Sequence, residues 1–92
     1  MIAQHLLVRG RVQGVGYRFA MTEVALALGV TGWVRNRRDG TVEAVVQGEA
    51  ELVERLVAWC RRGPAGAHVT AVALDALAVD PALQGFAQHP TE

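Results

Sequence analysis

Apolar and polar residues recur along the chain with two different periods, which predict two helices and four to five strands. Residues 4–12 alternate at every second position, with Leu6 and Val8 on one face, as in a half-buried strand. Residues 19–28 instead repeat apolar positions at helical spacing, and Gly29 follows as a helix terminator. The same criteria predict strands over 4–12, 30–37, 41–47 and 69–77, a short closing strand over 85–88, and helices over 19–28 and 49–62.

The order of these elements, β-α-β-β-α-β with a short fifth strand, indicates an α+β fold. An antiparallel sheet of four to five strands with both helices on one face, a ferredoxin-like α/β sandwich, is the simplest arrangement that buries the apolar faces. The 92 residues show no linker or repeat, so we expect a single domain over residues 1–92. RNA-binding modules of this fold stack bases on aromatic residues of two central strands. The corresponding strands here, 4–12 and 41–47, contain no aromatic residue, which argues against RNA binding.

The second and third predicted strands are joined at Asp39-Gly40, a dipeptide typical of tight hairpins. The length of this turn decides where Asn36, the only asparagine of the chain, points. A two-residue turn places Asn36 on the face of Glu43, whereas a three-residue turn places it with Val42 and Ala44, towards the helices. The sequence leaves both registers open.

The residue types present exclude several kinds of chemistry. The chain has no serine and no lysine, so serine nucleophiles and lysine Schiff bases are excluded. Its one cysteine, Cys60, falls on the apolar side of the second predicted helix, and we expect it to be a buried core thiol. The three histidines show no spacing typical of metal ligands, so we expect neither a metal nor another cofactor.

Charge and hydropathy bear on partners and location. Nine basic and nine acidic residues give a formal net charge of zero, which argues against a general binder of nucleic acid or membrane surfaces. No apolar segment approaches the ~20 residues that span a bilayer, and the N-terminus does not resemble a signal peptide. We therefore expect a cytoplasmic protein that binds neither nucleic acid nor membrane. We also expect a monomer, although an edge strand of the sheet leaves dimerisation open.

Residues 10–18, Gly-Arg-Val-Gln-Gly-Val-Gly-Tyr-Arg, join the first strand to the first helix and are the best candidate for a functional site. Loop N–H groups beside a helix N-terminus form a concave, partly positive site for an anion, and Arg18 adds a planar set of donors suited to phosphate. A P-loop is excluded because it needs a lysine, and a dinucleotide fingerprint starting at Gly14 is excluded because Phe19 replaces a required glycine. Spacing alone leaves a phosphate site and an ordinary turn equally open.

Three segments resemble the acylphosphatase family: residues 10–18, residues 29–36 (Gly-Val-Thr-Gly-Trp-Val-Arg-Asn) and residues 39–43 (Asp-Gly-Thr-Val-Glu). Weaker similarity follows at Gln47-Gly48, Gly63-Pro64 and Phe86. The resemblance covers essentially the whole chain in the right order. It implies a small free-standing hydrolase that needs no metal and cleaves the carboxyl–phosphate bond of acyl phosphates, with the acyl phosphate and inorganic phosphate as its small-molecule partners.

The resemblance also implies roles for individual residues. Arg18 is similar to the phosphate-binding arginine of the family, and Asn36 is similar to the residue that holds the attacking water. Tyr17 stands where phenylalanine is frequent in the family, and we expect it to pack in the same way. The backbone amides that resemble the phosphate-wrapping loop are those of Gln13, Gly14, Val15, Gly16, Tyr17 and Arg18.

Two other kinds of function stay open. A non-catalytic anion-binding regulatory module of the same fold would use the same loop, and domains similar to acylphosphatase also occur inside larger maturation enzymes that handle carbamoyl phosphate. A structural domain with a vestigial loop is disfavoured by the presence of both Arg18 and Asn36. Turnover of an acyl phosphate distinguishes the enzyme from both alternatives.

Overall fold

Five strands and two helices form the regular structure in a computed structural model that describes all 92 residues. Each predicted element is present, with its ends displaced by at most two residues. The elements are β1 Ile2–Arg11, α1 Tyr17–Leu28, β2 Thr31–Asn36, β3 Val42–Gly48, α2 Ala50–Arg62, β4 His68–Leu77 and β5 Phe86–Gln88. Neither α1 nor α2 has the length and apolar character needed to cross a membrane.

The strands form one sheet in the order β4-β1-β3-β2-β5, which confirms the ferredoxin-like prediction. Strands β1 to β4 pair antiparallel as predicted, but β5 runs parallel to β2, so the sheet is mixed. The direction of β5 follows from the path of the chain, because residues 78–85 connect β4 at one edge to β5 at the other. A strand that starts at the end of the sheet where β4 finishes runs opposite to β4, and this is the direction of β2.

Both helices cover the same face of the sheet, as predicted. Leu6 and Val8 of β1 and Val42 of β3 are fully buried on that face. They belong to a single apolar cluster that also contains Met21 of α1 and Leu56 of α2. The apolar residues at every second position of the strands therefore pack against the apolar faces of the two helices in one core.

The β2–β3 hairpin has the register of a three-residue turn. Asn36 pairs with Val42, and Arg37 N–H donates to Thr41 O at 2.8 Å, which leaves residues 38–40 as the turn. Residues directly opposite each other in a sheet share a face. Of the two registers that the sequence left open, the structure therefore has the one that directs Asn36 towards the helices.

Glu43 is buried on the other face of the sheet, where no helix covers it. Arg35 Nε and Arg37 Nη1 donate to its Oε1 at 2.7 Å and 3.1 Å, and His5 Nε2 lies 2.7 Å from its Oε2. Burial raises the pKa of Glu43, but the hydrogen bonds from His5, Arg35 and Arg37 outweigh burial and lower the pKa to about 2. The carboxylate thus links β1, β2 and β3 on this face.

Tyr17, the first residue of α1, is 1% exposed, and its hydroxyl donates to the carbonyl O of Cys60 at 2.7 Å. This carbonyl lies in the last turn of α2, and the residue four positions on is Pro64, which has no N–H to donate. Tyr17 therefore does more than pack as a phenylalanine would, because it joins the start of α1 to the end of α2. The thiol of Cys60 is fully buried, as predicted, and burial raises its pKa to about 12.

We expect the free energy of unfolding to fall as the pH drops from 4.5, the ordinary pKa of Glu43, to about 2, its pKa in the folded chain. Folding favours the ionised carboxylate, so this contribution is present above the unfolded-state pKa and is lost as the pH falls through the folded-state pKa. Glu43→Gln removes the titration, so its stability deficit relative to wild type should shrink over this range. Urea denaturation at a series of pH values measures the deficit, and a constant deficit would contradict the assignment.

We expect Tyr17→Phe to lower the free energy of unfolding by about 1–3 kcal/mol, because it leaves the buried carbonyl of Cys60 without a donor. Urea denaturation of both proteins at neutral pH measures the change. Met21→Leu, a near-isosteric change in the same core, is a suitable control for core perturbation alone. An unchanged midpoint for Tyr17→Phe would show that the hydroxyl does not cap α2.

Candidate active site

A cleft of about 140 Å³ opens where the β1–α1 loop meets the ends of β2 and β5. Nine residues line the cleft, and Arg18 is the only charged one among them. They are Val12, Gln13, Gly14, Gly16, Tyr17, Arg18, Phe19, Asn36 and Gln88. The cleft therefore brings the predicted loop residues and Arg18 together with Asn36. Of the predicted loop, Val15 does not line the cleft, and its side chain packs against the apolar core instead.

The loop presents a run of unused backbone donors. The six N–H groups of residues 13–18 donate to no acceptor within the protein. Gly14 and Gly16 lie in the left-handed region, with φ of 73° and 76°, and a β-carbon at either position would meet no atom within 4 Å. The backbone conformation rather than lack of space therefore favours glycine here. Successive free amides beside a helix N-terminus form a site for an anion.

Arg18 is the second residue of α1 and is half-buried at the cleft. Its guanidinium takes part in none of the ion pairs of the structure. Arg35 and Arg37 lie close by in sequence to Asn36 but are bonded to Glu43 on the opposite face of the sheet. The positive charge available to an anion in the cleft is therefore that of Arg18.

Asn36 is the last residue of β2, and its Oδ1 is buried without a hydrogen-bond partner in the protein. A buried acceptor that stays unpartnered costs about 1–3 kcal/mol, and such an atom is normally satisfied by water or a ligand. The backbone of Asn36 is fixed, since its carbonyl O accepts from Glu92 N–H at 3.0 Å. The arrangement suits an amide that binds a water molecule or substrate in the cleft.

The side chain of Gln13 has a contact that the sequence did not predict. Its Nε2 donates to the carbonyl O of Arg37 at 2.7 Å and to that of Thr41 at 2.9 Å. The loop and the β2–β3 turn are therefore joined directly beside the cleft. The resemblance drew attention to the backbone amide of Gln13 and gave no signal for its side chain.

Phe19 and Gln88 also line the cleft, and neither was among the predicted site residues. Phe19 is 62% exposed and follows Arg18 directly, so its place at the mouth was readable from the helix start. Gln88 reaches the cleft because β5 pairs parallel with β2, where Gln88 lies opposite Val34. That pairing has no local sequence signal.

The chemistry offered by the cleft is limited to hydrogen bonding and one positive charge. Its lining contains no histidine, cysteine or carboxylate. The hydroxyl of Tyr17 is committed to Cys60, and burial raises the pKa of Tyr17 well above its usual range. Nowhere in the chain do three or more His, Cys, Asp or Glu side chains form a group that could hold a metal ion.

Comparison with known proteins gives a consistent family. A sequence model described as Acylphosphatase matches residues 4–88. An acylphosphatase of Acidiphilium cryptum (strain JF-5) is 52% identical over 91 residues, which cover 99% of each chain. The crystal structure of acylphosphatase from Bacillus subtilis superposes with a TM-score of 0.93 at 29% identity and covers 97% of this chain and 99% of its own. An acylphosphatase from Coxiella burnetii superposes with a TM-score of 0.90 at 34% identity, covering 96% of this chain and 92% of its own. The chain therefore belongs to the acylphosphatase family.

Proposed function

We propose that the cleft hydrolyses the carboxyl–phosphate bond of acyl phosphates to a carboxylate and inorganic phosphate. The observation that carries this proposal is a cleft that brings together a loop with unused N–H groups, the unpaired guanidinium of Arg18 and the unpartnered amide oxygen of Asn36. Such a site binds a phosphoryl group and leaves an amide available for a second ligand, the attacking water.

The nature of the leaving group explains why the few polar groups of the cleft are sufficient for hydrolysis of an acyl phosphate. A phosphate monoester expels an alkoxide, which normally needs a proton donor. An acyl phosphate expels a carboxylate whose conjugate acid has a pKa of about 4, so it leaves without one. A cleft lined by one arginine, amides and apolar groups is therefore competent for an acyl phosphate and poorly equipped for an ordinary ester.

The reaction we propose is a single in-line displacement. Arg18 and the amides of residues 13–18 bind the phosphoryl group and stabilise the charge on its equatorial oxygens. The Asn36 amide orients a water molecule opposite the leaving carboxylate. A bond forms between the water oxygen and phosphorus as the bond from phosphorus to the acyl oxygen breaks, and that electron pair leaves with the carboxylate. The water proton passes to a phosphoryl oxygen, since the cleft offers no protein base.

We also propose that residues 1–92 act as one domain, and that the protein is a cytoplasmic monomer with no nucleic-acid partner and no metal requirement. The single apolar cluster supports the single domain. The zero formal net charge supports the absence of a nucleic-acid partner. The alternative function, a non-catalytic anion-binding module, would use the same loop and Arg18 but would show no turnover.

We expect the purified protein to hydrolyse benzoyl phosphate in the presence of EDTA and to cleave p-nitrophenyl phosphate far more slowly. Carboxylate is a good leaving group without a proton donor, and the proposed site uses no metal. Loss of benzoyl phosphate absorbance and release of p-nitrophenolate measure the two rates. Absence of turnover together with stabilisation by inorganic phosphate would favour the non-catalytic module.

Arg18→Ala and Asn36→Ala should fail in different ways. Arg18→Ala removes the cationic partner of the phosphoryl group, so kcat/KM should fall by about 10²-fold or more and inhibition by inorganic phosphate should weaken. Asn36→Ala removes the group that orients water, so kcat should fall by about 10²-fold while phosphate still inhibits normally. Steady-state kinetics with phosphate as inhibitor separates the two. Near-normal turnover by Asn36→Ala would contradict its assigned role.

A further inference from the structure

The side chain of Gln13 bridges the two halves of the cleft. Its Nε2 donates to the carbonyls of Arg37 and Thr41, the residues at the two ends of the three-residue turn. Thr41 O also accepts Arg37 N–H at 2.8 Å, so the two bonds from Gln13 close onto an existing hairpin bond. Asn36 directly precedes Arg37, so this bridge ends one residue from the amide proposed to orient water.

A primary amide is well suited to this bridge. The NH₂ group carries two hydrogens on one atom and can donate to two carbonyls at once, which a hydroxyl cannot do. Both distances, 2.7 Å and 2.9 Å, are within the normal range for hydrogen bonds. The bridge does not use the backbone N–H of Gln13, which donates to no backbone acceptor.

The side chain of Asn36 is not held by bonds of its own. Its Oδ1 has no partner in the protein, so the position of the amide is set by the backbone of β2. One edge of that backbone is fixed by Glu92, whose N–H donates to Asn36 O. On the loop side, the bridge from Gln13 fixes the residue that follows Asn36.

We infer that Gln13 is a positioning residue whose side chain sets the separation between the phosphoryl-binding loop and the Asn36 amide. This rests on the proposed function, in which the loop holds the phosphoryl group and Asn36 orients the attacking water. In-line displacement requires the phosphoryl group and the attacking water to be held in line, and a misplacement of about 1 Å can cost about 10²-fold in rate. Gln13 acts on kcat through Asn36, while phosphate binding depends on Arg18 and the loop amides.

Gln13→Met tests the inference, because methionine has a similar length and no donor. Gln47→Met is the matched control: the amide of Gln47 also makes two hydrogen bonds, accepting from Asp80 N–H at 2.8 Å and donating to Asp80 O at 2.9 Å, and lies five residues beyond Val42 on β3. We expect Gln13→Met to lower kcat by about tenfold or more with the inhibition constant of inorganic phosphate unchanged within about twofold. Gln47→Met should lower thermal stability and keep kcat within about twofold of wild type.

A double-mutant cycle separates positioning from a general loss of structure. If Gln13 acts through Asn36, adding Gln13→Met to Asn36→Ala should lower kcat by less than about twofold further. Multiplicative losses, a wild-type kcat for Gln13→Met, or a weakening of phosphate inhibition as large as the loss in kcat would each overturn the inference. Absence of benzoyl phosphate turnover by the wild-type protein would instead overturn the proposed function.

Gln13→Glu provides a second test that survives if the methionine variant does not fold. A carboxyl group can donate to a carbonyl only when it is protonated. The ratio of the kcat of Gln13→Glu to that of wild type should therefore rise as the pH falls. The inhibition constant of inorganic phosphate is measured at each pH in parallel. A ratio of kcat values that does not change with pH would contradict the bridge.

Discussion

The register of the β2–β3 hairpin is the constraint on which both the buried ionic network and the candidate site depend. Side chains alternate between the two faces of a strand, so a slip by one residue would exchange the faces for the whole of β2. In the observed register Val42 fills the core, Glu43 meets Arg35 on the open face, and Asn36 faces the helices. A slipped register would turn Asn36 away from the β1–α1 loop and separate Arg35 from its position opposite Glu43. The same apolar burial that stabilises β3 therefore also aims Asn36.

The distribution of arginines separates structural charge from charge that is available to a ligand. Arg35 and Arg37 are paired with Glu43 on the face without helices, and Arg35 also with Glu92, whereas Arg18 has no carboxylate partner. Asn36 Oδ1 is likewise left without a protein partner, and a buried acceptor in this state costs stability. The surrounding contacts offset this cost, since the hydroxyl of Tyr17 ties the end of the loop to α2.

The sequence predicts the features that depend on local patterns and misses those that depend on chain path. Alternation and helical spacing predicted the two helices and the four longer strands, and the order of these elements predicted that both helices share one face. The helix α1 begins two residues earlier than predicted, at Tyr17, because Gly16 in the left-handed conformation ends the loop there. The parallel pairing of β5 could not be predicted from the sequence, because three residues carry little periodicity. The direction of β5 is set by residues 78–85, which connect the two edges of the sheet. Among the residues of the cleft, Gln88 depends on that pairing and the bridge from Gln13 depends on the turn length, so both required the fold.

Because the cleft offers only hydrogen bonds and one positive charge, the proposed catalysis depends on how its groups are positioned. In other sites a general base or a protein nucleophile lowers the barrier by proton transfer or by a covalent intermediate. Here the proposed reaction has only bound charge and an oriented water, so the rate depends on how well the loop and Asn36 are held relative to each other. The hairpin bond between Arg37 and Thr41, the contact of Glu92 and the side chain of Gln13 all act on the backbone around Asn36. The side-chain amide oxygen of Asn36 thus has no partner in the protein, while the backbone around it is held by several hydrogen bonds. A residue that orients water requires this combination of a free side-chain acceptor and a fixed backbone.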